Sequence, residues 1–107
     1  MHKDVNDAVE TIAALLHRFE TLIDETVTCG AQLAGAMPAA RKQANLPALA
    51  GQHALGAVGE AITAAIEARR HAVAAHKHLD KVREALGLTP VSFGDETRKD
   101  PHEVFMP

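Results

Sequence analysis

Large apolar residues recur along the first third of the chain at helical intervals. Val5, Val9, Ile12, Leu16, Phe19 and Ile23 are spaced alternately four and three apart. A second row, Ala8, Ile12, Leu15, Phe19, Leu22 and Cys29, overlaps the first. Together they occupy about three positions in seven, wider than the two-position seam of a dimeric coiled coil. Such a stripe predicts an α-helix over about residues 4–34 that touches two neighbours, as in a bundle. Asp4, Asp7 and Glu10 crowd its first turns, where carboxylates suit the positive end of the helix dipole. Gly30, Gly35 and Pro38 punctuate its far end.

Residues 35–47 read as an elbow. Pro38 and Pro47 each disfavour helix in the residue before them and lack a backbone donor. Pro47 suits the opening of a second helix, expected over about 48–86. Gly87 stands where a left-handed cap belongs, with Pro90 close behind. The large residues of this second helix, among them Leu55, Val58, Ile62, Ile66 and Val73, wind round one side.

A separate row carries small residues: Ala50, Ala54, Ala57, Ala61, Ala64, Ala68, His71 and Ala75 step by four and three. An alanine-rich helix fills some heptad row by composition alone. The sharper reading is that another helix lies close against this row, since small side chains let backbones approach. Gly51, Gly56 and Gly59 would extend that permissive surface at one end. His71 interrupts the row, and marks either a polar register key or the point where the helices splay. If buried, it is a pH-sensitive position. Ala54, Ala57, Ala61, Ala64, Ala68 and His71 are therefore the expected contact residues of the helices.

Beyond Gly87 the helical pattern stops, and residues 88–107 read as an extended tail. It holds Val91, Phe93, Val104, Phe105 and Met106, although a solvated linker gains nothing from large apolar groups. Phe93 and Phe105 are accordingly expected to dock on a neighbouring subunit or a partner.

Composition narrows the function. The chain has 107 residues, room for one small domain, and Ala fills roughly one position in five. Only three residues are aromatic, so a thick core is hard to build from one copy. The net charge of −3 argues against a nucleic-acid-coating protein. No apolar run reaches the ~18 residues of a membrane span, and no signal peptide is read at the N-terminus, so a cytoplasmic protein is expected. Incorporation into a larger assembly such as a virion also fits. Acidic residues outnumber basic ones six to two over residues 1–34, and basic outnumber acidic seven to four over 38–86. That partition favours an antiparallel pairing of the two helices.

The histidines are the tempting chemistry. Glu67/His71 and His76/Asp80 have four-residue spacing, so each pair offers two metal ligands on one helix face. His76 and His78 point about 200° apart and cannot share an ion. No Glu-x-x-His occurs, and neither a metal nor another cofactor is expected. Cys29 has no basic residue within a turn to lower its pKa, which makes it a structural thiol. Gly51, Gly56 and Gly59 match no phosphate-loop spacing, and no catalytic residue is assigned.

The expected fold is all-α: an antiparallel two-helix hairpin over 1–87 with a C-terminal extended tail, assembling into a helical-bundle oligomer. The expected function is non-enzymatic, a small structural or adaptor protein acting through protein contacts. A phage or bacterial accessory component fits this size. Two other readings are a regulator docking its tail or a helix face onto one target, and a metal- or small-ligand-binding bundle.

Overall fold

The structure, a computed structural model, describes the backbone of residues 2–88 and the side chains of 4–88. It is an all-α helical hairpin of two packed helices, α1 (His2–Gln43) and α2 (Gln52–Ala85). The tail positions Phe93 and Phe105 lie outside the described residues. Two compact units divide the described chain between residues 20 and 21 on α1 and between 70 and 71 on α2, so each unit holds part of both helices.

The α1 helix continues about nine residues beyond its expected end, through Gly30, Gly35 and Pro38. Pro38 removes the hydrogen bond that the Ala34 carbonyl would accept, but the chain keeps helical dihedrals to Gln43. The true stop is Asn45, whose φ of 54° is left-handed. Asn45 N–H donates to the Lys42 carbonyl (3.1 Å) and Leu46 N–H to that of Arg41 (3.1 Å), a Schellman closure. Gly87, with φ of 65°, closes α2 in the same way, through Gly87 to Glu84 (3.0 Å) and Leu88 to Arg83 (3.2 Å). In both caps the arginine reaches forward: Arg41 Nη1 donates to the Leu46 carbonyl and Arg83 Nη1 to that of Leu88, each at 3.3 Å.

Pro47 does not open the second helix. It begins a turn in which Ala50 N–H donates to the Pro47 carbonyl, and Gly51 (φ 77°) leads into α2 at Gln52. The connector is therefore residues 44–51, shorter than the expected elbow.

Packing follows one row of side chains on each helix. On α1, every residue with a described side chain that is not exposed, Pro38 aside, lies at steps of three and four. The row includes Val9, Ala13, Leu16, Glu20, Ile23, Val27, Gly30 and Ala34. Its counterpart on α2 includes Leu55, Val58, Ile62, Ala65, Ala68, Ala72, His76 and Leu79. In the unit of residues 21–70, Asp24 meets Arg69 and Gly30 meets Ile62, so the helices run antiparallel. Small residues alternate with larger ones where the rows meet, and only Ala13, Ile23 and Ala72 are buried apolar residues among those described. Gly30 shows why: a Cβ there would come within 2.8 Å of Ile62 Cγ1. Gly30 thus serves close packing within α1, where the sequence had suggested a helix end.

The two α1 glycines make a paired test. Gly30→Ala should lower stability by about 1–3 kcal/mol, the usual cost of overpacking. Gly35→Ala, with nothing within 4 Å of the added Cβ, should raise it by about 0.5–1 kcal/mol through helix propensity. Urea midpoints of both variants check this. Equal effects of one sign would show that Gly30 is not a packing position.

Candidate interaction face

The expected α1 seam shares Val9, Leu16 and Ile23 with the packed one. Its other members, Val5, Ile12 and Phe19, sit one residue before the packed positions and are exposed. So are Leu15, Leu22, Cys29 and Leu33. These residues form the rows immediately preceding the seam, turned about 100° from it. The rows preceding the α2 seam are Ala54, Ala61, Ala68, Ala75 and Val82, with Ala57, Ala64, His71, His78 and Ala85 beside them. Ala54, Ala57, Ala61, Ala64 and His71 are exposed, and Ala68 is half-buried.

Helix handedness places these rows together. Each is rotated from its seam in the same sense along its own chain, and the chains run in opposite directions. The two rotations therefore end on one side of the helix pair. In the unit of residues 21–70, Leu22, Cys29 and Leu33 share a side with Ala54, Ala57, Ala61 and Ala64. In the other unit, Val5, Ile12, Leu15 and Phe19 share a side with His71, Ala75 and Val82. Gly56 and Gly59 fall on the opposite side, so they do not extend the alanine row as expected.

Charge is segregated accordingly. Apart from Glu67, which immediately precedes seam residue Ala68, the Asp, Glu, Lys and Arg residues of 5–85 lie off these rows. Asp24 and Arg69, one residue beyond seam positions Ile23 and Ala68, pair at 2.6 Å on the other side. Arg70 bonds Glu67 (2.7 Å), and Arg83 is held within α2 by Asp80 (2.9 Å) and Glu84 (3.6 Å). Thr26, a polar residue in the apolar rows, donates its hydroxyl to the Leu22 carbonyl at 2.8 Å.

The histidines behave differently from their sequence spacing. Asp80 bonds Arg83, while His76 is buried and its Nε2–H donates to Glu20 Oε1 across the helices. The His17 ring lies 6.3 Å from that of His76. Among the described residues, no group of three or more His, Cys, Asp or Glu side chains is arranged to hold a metal ion. The Glu20–His76 pair escaped the sequence reading, which paired His76 with Asp80 and did not single out Glu20. Its signal was positional: Glu20 and His76 each interrupt an otherwise apolar row with the seam's spacing.

Near the connector, an open cleft of about 540 Å3 is lined by Met37, Pro38, Leu46 and Leu55, with Arg41 committed to its cap. No described helix is long and apolar enough to cross a membrane. No protein-family model matches the chain, and neither a curated protein nor a solved structure is significantly similar to it.

The pair across the seam yields a double-variant test. His76→Leu alone leaves a half-buried Glu20 carboxylate without its partner and should cost about 2–3 kcal/mol. Glu20→Leu with His76→Leu should recover most of that loss. A double variant as weak as the single one, measured by urea denaturation, would show that the pair does not act across the seam.

Proposed function

We propose that this protein is a non-enzymatic assembly or adaptor component that works by docking its uncharged apolar face onto another helical surface. The observation that carries this reading is the coincidence of two independent rows on one side of the hairpin. Within each unit, large exposed residues on α1 share a side with small residues on α2, and most charges lie off that side. Single exposed hydrophobes are ordinary on soluble proteins, whereas a contiguous patch marks a contact surface. Leu15 and Phe19, 59% and 53% exposed, are the largest groups available to a partner in their unit.

The test is positional. A photo-crosslinking residue at Leu15, introduced in cells that make the protein natively, should yield protein adducts of discrete mass. The same residue at Glu25, on the far side of α1, should yield none. Absence of adducts at Leu15, or equal labelling at both positions, would overturn the reading.

A further inference from the structure

We propose that the cleft beside the connector binds one medium-chain fatty acid, its carboxylate on Arg41 and its alkyl chain along Met37, Pro38, Leu46 and Leu55. The site is independent of the docking role proposed above. Every residue it uses lies at the connector end of the unit of residues 21–70.

The cleft is built by the ends of two helices and the turn between them. Met37 and Pro38 wall it from α1, Leu46 and Ala50 from the connector, and Leu55 from α2. All of these except Leu46 are half-buried, so the wall is already in place. The volume of about 540 Å3 falls within the roughly 300–1,000 Å3 of small-molecule sites. Arg41 is the one charged residue among those lining it, and Gln52 adds an amide. An apolar cleft with one charge suits an amphipathic ligand. A sugar or a nucleotide needs more polar partners than this lining supplies.

Charge decides which amphiphile. No Asp or Glu occurs between residues 26 and 59, whereas Arg41, Lys42 and His53 do. Gly30 meets Ile62, so in the antiparallel pair Glu60, two residues before Ile62, is level with position 32 on α1. Arg41 lies nine residues farther along, about 13 Å, beyond the ~8 Å Debye length at physiological salt. Arg41 is half-buried, gives one donor to the Leu46 carbonyl at 3.3 Å, and has no carboxylate partner among the described residues. The remaining guanidinium donors are left for a ligand. A neutral apolar ligand would displace their water and replace none of its bonds, which costs affinity. A carboxylate matches the planar fork in charge and geometry, whereas a phosphate carries more oxygens than one guanidinium satisfies. The α1 wall from Met37 to Ala44 is about 10 Å long, the reach of a medium-length alkyl chain.

Isothermal titration of the full chain with sodium dodecanoate, below its micelle concentration, should show one site per chain. Octanoate should bind at least tenfold more weakly, since each methylene covered is worth up to about fourfold. Dodecyltrimethylammonium, with the same alkyl chain and the opposite charge, should not bind. Arg41→Gln keeps a donor for the helix cap and removes the charge, and should weaken dodecanoate binding at least tenfold. Arg41→Lys, which keeps the charge but not the fork, should fall between. Ala40→Leu fills the cleft from an exposed helix position and should weaken binding with Arg41 intact. Circular dichroism checks that each variant keeps its helices, and Ala40→Leu decides the matter should Arg41→Gln lose them. Several molecules bound per chain, equal binding of the cation, or unchanged affinity in Arg41→Gln overturns the inference. So does the absence of both heat and a melting-temperature shift at millimolar dodecanoate. Sedimentation of the chain with phosphatidylglycerol vesicles, without binding of free dodecanoate, also overturns it and gives this end of the hairpin to a membrane surface. One site per chain that requires both the negative charge and Arg41 supports it.

Discussion

The closeness of the two helices decides where every other side chain goes. The seam mixes Ala13, Gly30 and Ala34 on α1 and Ala65, Ala68 and Ala72 on α2 with larger residues such as Leu16, Ile23 and Ile62, and its small members let the backbones approach. The contact of Gly30 with Ile62 admits no extra Cβ. Ile12, Leu15, Phe19 and Leu22 lie off this seam. These side chains flank it, one residue earlier in the repeat, and remain exposed. The apolar face is thus a consequence of how the hairpin packs.

Two polar interruptions fit this arrangement. Glu20 and His76 occupy seam positions, and their bond crosses between the helices. Slipping either helix by a turn would set His76 against Leu16 or Ile23 and Glu20 against Ala72 or Leu79, and leave a half-buried polar group unpaired. That penalty is larger than the net gain from the bond itself. Small residues specify register weakly because they interlock little, so a paired polar contact supplies what the alanines do not. In the unit of residues 21–70, the exposed Asp24–Arg69 pair also crosses between the helices, and its solvated position limits it to about 0–1 kcal/mol.

Much of this was legible in the sequence, and the gaps have physical causes. The two helices, the cap at Gly87 and the existence of two apolar rows on α1 all follow from periodicity and glycine chemistry. Which row faces α2 does not. Hydrophobic size pointed to Val5, Ile12 and Phe19, but close approach selected Ala13, Glu20 and Gly30. The end of α1 was placed at Gly35 and Pro38 because both disfavour helix in isolation. Seam contacts at Ala34, Met37 and Arg41 accompany the helix beyond them, and Asn45 provides a cap less conspicuous than glycine. Pro47 has the chemistry of a helix start, but the chain first needs the turn through Gly51 to reverse direction. For the contact residues, the alanine row was visible as a pattern. Its position beside the exposed α1 rows requires the antiparallel register, which no single helix contains.

The same geometry ties stability to docking. Three buried apolar residues among those described are a slender core for a hairpin of this length, and small domains are marginal even with fuller ones. Covering a half-exposed Leu or Phe is worth about 1 kcal/mol, half the value of complete burial. Several such side chains per copy therefore contribute an amount comparable to the whole stability of a small domain. A ligand that binds only the folded state stabilises it in proportion to its occupancy. A partner on this face acts in that way, so folding and assembly share one free-energy source. Substitutions on that face consequently report on both at once. Those on the charged side, where side chains are solvated and pairs are weak, report on neither.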